Sequence, residues 1–243
     1  MRWRTAVHGL PFRVLESRNP GPRPPAVLVH GIGVSHRYLA RLHTVLAQGR
    51  TVYSVDLPGF GGLPKPSRDV DVPAMAAALA TLIESLRAEP VVLVGHSMGS
   101  QWVVEAGIQR PDLVSHLVAM GPVADARHRS VTAQTVALAK DTLGESPEVN
   151  ALVFSDYVRC GMPWYLTQLR HMLSYPIEDR VGSLARPLLI VRGARDPIAG
   201  LDWCRRLRDR AGDADLVLIP GQHHVAQHGA ARAVASAILA YTP

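Results

Sequence analysis

Three runs of uninterrupted apolar residues, Ala26-Val27-Leu28-Val29, Val91-Val92-Leu93-Val94 and Leu188-Leu189-Ile190-Val191, constrain this chain most tightly. Each has the length of a strand and no polar alternation, so each reads as a strand covered on both faces. Between them the periodicity changes. Residues 36–48 place Leu39, Leu42, Val45 and Leu46 on one side, with Gly49 to end a helix. Residues 71–88 do the same with Met75, Leu79, Leu82, Ile83 and Leu86. Further strands are predicted within Arg2–Glu16 (two short ones) and at 51–55, 113–120 and 216–219, with helices at 98–109, 199–211 and 225–241. Alternation of this kind makes an α/β protein, a mostly parallel, doubly wound sheet with helices on both faces. From Val123 to Ala185 the pattern is helical and offers no strand. That segment is expected to be a helical lid inserted into a core domain made of residues 1–122 and 186–243.

With 47% hydrophobic residues in 243, the chain can bury a full core. Its net charge of +6 is nearly all arginine, Lys65 and Lys140 being the only lysines. The one basic cluster, Arg205 to Arg210, includes Asp209 and reads as a solvated helix face rather than a nucleic-acid patch. Cys160 and Cys204 lie far apart without metal-ligand spacing, so both are expected to be free thiols. Neither a leader-length apolar run nor a membrane-length one is present, which makes a cytoplasmic protein the expectation.

The chemistry gathers at strand ends. Gly95-His96-Ser97-Met98-Gly99 lies between the run Val91–Val94 and the next helix. A serine in so sharp a strand-to-helix turn stands clear of the sheet, and small residues on either side let strand and helix approach. The helix N-terminus offers unpaired N–H groups to developing negative charge, that of Met98 among them. A hydroxyl is a weak nucleophile and needs a base, itself oriented by a carboxylate. Asp196 follows the strand ending at Val191, and His224 follows the strand ending at Ile219. His223 is the rival base and Asp125 the alternative acid. His224 and His228 have a ligand-like spacing, but no acidic third ligand accompanies them. The glycine turn His30-Gly31-Ile32-Gly33 ends a buried strand on the same edge, making the Ile32 N–H the second expected oxyanion donor.

In order, His30 to Gly33, Asp56-Leu57-Pro58-Gly59-Phe60-Gly61, Gly95 to Gly99, Gly193 to Asp196 and Gly221 to His224 span almost the whole chain. In these motifs the chain resembles the α/β-hydrolase superfamily. The resemblance implies Ser97 as nucleophile, Asp196 as acid and His224, three residues after the late glycine, as base. It makes Asp56 a structural turn residue. A serine at the elbow is unlike the aspartate of dehalogenases and epoxide hydrolases of this fold. Hydrolysis of a small to medium apolar ester, thioester or lactone is therefore implied. Carbon-carbon cleavage, perhydrolysis, acyl transfer and a receptor role remain the alternatives. Phe154, Met162, Trp164 and Tyr165 are the expected apolar contacts to substrate. A small-molecule substrate is the expected partner, without nucleic acid, membrane, cofactor or metal, and a homodimer is left open.

Overall fold

In the computed structural model, residues 1–87, 90–125, 127 and 129–242 are described. Strands β1 (Arg2–Val7) and β2 (Leu10–Ser17) pair antiparallel, and β2 pairs antiparallel with β4 (Val52–Asp56). The remaining neighbours are parallel: β3 (Ala26–Val29) lies between β4 and β5 (Val91–His96), followed by β6 (Val114–Met120), β7 (Leu188–Gly193) and β8 (Ala214–Ile219). The order β1-β2-β4-β3-β5-β6-β7-β8 reverses direction at β3 and β5, and loops leaving a sheet at such a point open a crevice between them.

The apolar runs are covered on both sides. Val91 and Leu93 of β5 belong to one core, shared with Leu79 of helix α2 (Val72–Ser85), Trp102 of α3 (Gly99–Gln109) and Leu207 of α8 (Leu201–Arg210). Val92 and Val94 belong to the other, with Leu42 and Leu46 of α1 (Ala40–Leu46) and Ile238 of α10 (Ala231–Tyr241). Asp71 caps α2 by accepting the Ala74 N–H at 2.9 Å.

Two helices differ from their periodicity. The segment 36–48 begins as a 3-10 turn, His36–Leu39, and becomes α-helical only at Ala40. The C-terminal helix is broken: α9 (Ala226–Gly229) ends where the Gln222 amide fills the space of a Gly229 Cβ, and Ala230 leaves the helical region (φ −132°, ψ 48°). The predicted end of the second helix at residue 88 lies outside the described residues.

Between β6 and β7 the described residues form helices α4 (Val131–Gly144), α5 (Pro147–Cys160), α6 (Met162–Ser174) and α7 (Ile177–Arg180), and no strand. Ser35 donates to Asp156 Oδ2 at 2.6 Å and Arg37 donates to Asp156 Oδ1 at 2.9 Å, joining α5 to the core. Gln101 Nε2 donates to the Met172 carbonyl at 2.9 Å and Gln168 Nε2 to that of Val70 at 3.0 Å, joining α6. No helix among the described residues is long and apolar enough to cross a membrane.

Candidate active site

Ser97 leaves β5 with a φ of +56°, a left-handed conformation that costs a residue with a Cβ about 1–2 kcal/mol. The turn is tight enough that a Cβ on Gly95 would lie 2.5 Å from the Gly99 carbonyl carbon. One on Gly99 would lie 2.6 Å from the His30 oxygen. Glycine at both positions is thus a steric requirement of the turn. The Ser97 N–H donates to the Met120 carbonyl at 2.9 Å, which ties the elbow to β6.

The loop after β3 meets this turn. A Cβ on Gly31 would fall 2.8 Å from that of Ser97, so the two backbones are in near contact. Among the described residues the N–H groups of Ile32 and Met98 donate no hydrogen bond, although Ile32 is 7% and Met98 0% exposed. Two buried donors without acceptors beside one hydroxyl form a ready site for an oxyanion. His30 shapes this loop. Its Nε2 accepts the Leu57 N–H at 3.1 Å, so Nδ1 carries the proton and donates to the Gly31 carbonyl at 2.7 Å. Burial holds this ring neutral by lowering its pKa.

Asp196 and His224 meet at 2.8 Å, Oδ2 accepting from Nδ1–H. That bond selects the tautomer that leaves Nε2 free to accept a proton. Asp196 Oδ1 accepts the N–H groups of Ile198 (2.8 Å) and Ala199 (2.9 Å), which fixes the carboxylate plane. Burial opposes the charge of Asp196, but His224 and these donors outweigh it and lower its pKa. Burial likewise opposes a charged His224, yet the carboxylates of Asp196, Asp141 and Glu145 raise its pKa above the ordinary histidine value.

The structure separates the rivals. His223 packs its ring against Gly144 instead of reaching Asp196. Asp125 is held elsewhere, accepting from Arg206 at 2.7 Å and from the Arg127 N–H at 3.0 Å. His228 lies 3.5 Å from Glu148. No group of His, Cys, Asp and Glu among the described residues could hold a metal ion. Asp56 sits outside the constellation, buried between Arg13 (2.6 Å) and the His36 ring (2.8 Å), while Arg13 also donates to the Gly61 carbonyl at 2.7 Å. Burial opposes its charge, but the hydrogen bond from His36 and the positive charge beside it lower its pKa to about 2.

Several supporting groups carry no sequence motif. The Gly31 N–H donates to the Tyr38 hydroxyl at 2.7 Å. That hydroxyl lies 2.6 Å from His96 Nδ1, and His96 Nε2 donates to the His224 carbonyl at 2.9 Å. Burial, and then the charge of His224, lower His96 to about 3, so this ring stays neutral. The Arg192 guanidinium braces the acid loop through the carbonyls of Asp196 (2.8 Å), Ala194 (3.0 Å) and Ala199.

A cavity of about 240 Å³ opens over Ser97 and His224. Apolar side chains from the insertion line it, Val123, Leu138, Leu169 and Met172 among them, facing Val34 and Ile198. Of the four expected substrate contacts, only Tyr165 lines this space. Trp164 is buried against Phe60, ring centroids 6.1 Å apart, and lies over Gly59. Phe154 and Met162 are 70% and 65% exposed, on helix faces turned away from the cavity.

The family model described as the alpha/beta hydrolase family matches residues 26–237. The chain belongs to that family. An uncharacterized protein of Mycobacterium tuberculosis is 37% identical over 120 residues, a match covering 49% of this chain but only 33% of that protein. A monoacylglycerol lipase of Mycolicibacterium smegmatis is 29% identical over 232 residues, covering 84% of this chain and 81% of the lipase. Among solved structures, the enol-lactonase from Burkholderia xenovorans is similar in fold, with a TM-score of 0.84 at 17% identity over 98% of this chain and 99% of its own.

Proposed function

We propose that this chain is a cofactor-independent serine hydrolase of small to medium, neutral, apolar carboxylic esters, thioesters or lactones. One observation carries the reading. Ser97, Ile32 and His224 line one largely apolar cavity, with Asp196 2.8 Å behind the His224 ring and the unengaged Met98 N–H next in sequence to Ser97.

Ser97 Oγ attacks the substrate carbonyl carbon as His224 Nε2 takes its proton. The carbonyl oxygen becomes an oxyanion held by the Ile32 and Met98 N–H groups. Collapse expels the alcohol, thiol or ring oxygen, protonated by His224, and leaves an acyl group on Ser97. Water, deprotonated by the same imidazole, then releases the acid and restores the serine. Asp196 keeps the Nδ1 proton in place throughout, and its charge favours the transient imidazolium.

Preference for a neutral substrate rests on the lining. Its described residues include Asp141 and Glu145 but no lysine or arginine, so a carboxylate on the substrate would find no permanently charged partner there. The cavity volume of about 240 Å³ favours a short acyl or ring portion. Kinship with a monoacylglycerol lipase supports ester cleavage.

The test is pre-steady-state hydrolysis of short p-nitrophenyl esters, with organophosphonate labelling followed by mass spectrometry. A burst, inactivation with an adduct on Ser97 and an inert Ser97→Ala variant are expected. A folded wild-type protein with no turnover and no adduct would overturn the reading.

A further inference from the structure

Helix α4 meets the base loop at three consecutive residues. Asp141 Oδ1 accepts the His224 N–H at 3.0 Å, and Glu145 Oε1 accepts the Val225 N–H at 2.8 Å. Between them, Gly144 receives the His223 ring: a Cβ there would lie 2.7 Å from His223 Nε2 and closer still to two other ring atoms. Positions 141, 144 and 145 have the i, i+3, i+4 spacing of one helix face. One face of the insertion therefore matches the tripeptide that contains the base.

These contacts are more than packing. The N–H groups of His224 and Val225 precede the short helix α9, and a buried backbone donor needs an acceptor. No neighbouring residue of their own loop accepts them. The acceptors come from a segment 83 and 80 residues earlier in the chain, on an element outside the sheet. Asp141 is 4% exposed, so water does not replace it readily. Its bond fixes the backbone from which the imidazole projects, while Asp196 fixes only the ring.

We propose that Asp141 and Glu145 are positioning residues for His224: the helical insertion holds the base by its backbone, and turnover depends on α4 remaining docked on residues 223–225. This rests on the Ser97–His224–Asp196 reading above. Two effects are separable, acceptance of the N–H and negative charge near the ring. The charged and titratable groups around His224 are Asp196, Asp141, Glu145, His96 and His223. Burial raises the pKa of both Asp141 and Glu145, which lie beside each other as well as beside His224 and His223. Where they are ionised, both favour the imidazolium.

The experiment compares wild type, Asp141→Ala and Asp141→Asn with a p-nitrophenyl ester across pH, beside hydrogen exchange of residues 222–228. In Asp141→Ala, kcat should fall roughly 10- to 100-fold, the effect of a misplaced catalytic group, with KM within about twofold. Exchange of 222–228 should accelerate. Asp141→Asn still accepts the N–H, so kcat should recover to within about threefold. Having lost the charge, it should move the acid limb of kcat/KM to lower pH. An Asp141→Ala protein that labels, turns over and exchanges like wild type overturns this proposal alone. So does an asparagine variant as impaired as alanine. A wild type that neither labels nor turns over fails the hydrolase reading itself, and exchange at 222–228 still reports whether Asp141 holds the loop.

Discussion

His96 Nε2 donates to the backbone carbonyl of His224 at 2.9 Å, so the residue before Ser97 holds the loop that carries the His224 imidazole. The same ring, through Nδ1 and Tyr38, connects to the Gly31 N–H. The Gly31 turn, His96 beside Ser97 and the loop carrying His224 thus share one buried hydrogen-bonded chain.

Tyr38→Phe keeps the ring but removes the hydroxyl between Gly31 and His96. Two buried polar groups lose their partner, which should cost about 1–3 kcal/mol each in stability. Urea denaturation should register a lower midpoint with an unchanged slope, and kcat should fall more than KM rises. A variant as stable and active as wild type would remove Tyr38 from the site's support.

The acid limb of kcat/KM should lie above the ordinary histidine value of 6.5, because the carboxylates around His224 favour its charged form. On the proposed mechanism the neutral ring is the working base, so activity should be lost as pH falls through that raised value. His96, lowered to about 3, should leave no inflection above pH 5. Initial rates at low substrate concentration across pH would detect a limb below 6, which would contradict the assignment.

Asp56 should make stability acid-sensitive. Its pKa falls from 3.8 to about 2 on folding, so its contribution is complete above pH 3.8 and disappears as pH falls through about 2. The difference amounts to about 2 kcal/mol. Asp56→Ala would strand the buried Arg13 and should cost about 3–5 kcal/mol at neutral pH. Melting curves between pH 2 and 7 would test the window; the acid sensitivity should be smaller in a folded Asp56→Asn protein, the remainder coming from carboxylates such as Asp196 whose pKa folding also lowers.

Among the insertion's large side chains, Tyr165→Ala should raise KM for a p-nitrophenyl ester several-fold, since Tyr165 lines the cavity. Phe154→Ala and Met162→Ala should leave kcat and KM within about twofold of wild type, as exposed surface substitutions do. The opposite ranking would mean that the cavity over Ser97 is not where the acyl group binds.

What the sequence made legible follows from how each residue acts. Ser97 and Asp196 follow the buried strands β5 and β7 and His224 follows the edge strand β8, each with glycine nearby, and so each leaves a local signature at the same end of the sheet. Tyr38, Arg192, Asp141 and Glu145 act on backbone groups, often far along the chain, and such pairs have no spacing to recognise. The faces of the insertion's helices carry the weakest signature. On α6 the buried residues Trp164, Gln168 and Met172 recur every four positions, while Met162 and Leu166 occupy the opposite side. Apolar side chains on both sides erase the contrast by which a face is recognised.

The placement of β3 next to β5, with the acid and base beyond β7 and β8, has a consequence for synthesis. By the time β6 has emerged from the ribosome, the elbow and the oxyanion loop can already sit side by side. The imidazole and its carboxylate are then still to be translated. On the mechanism proposed above, Ser97 would therefore have neither base nor acid beside it until β7 and β8 had joined the sheet.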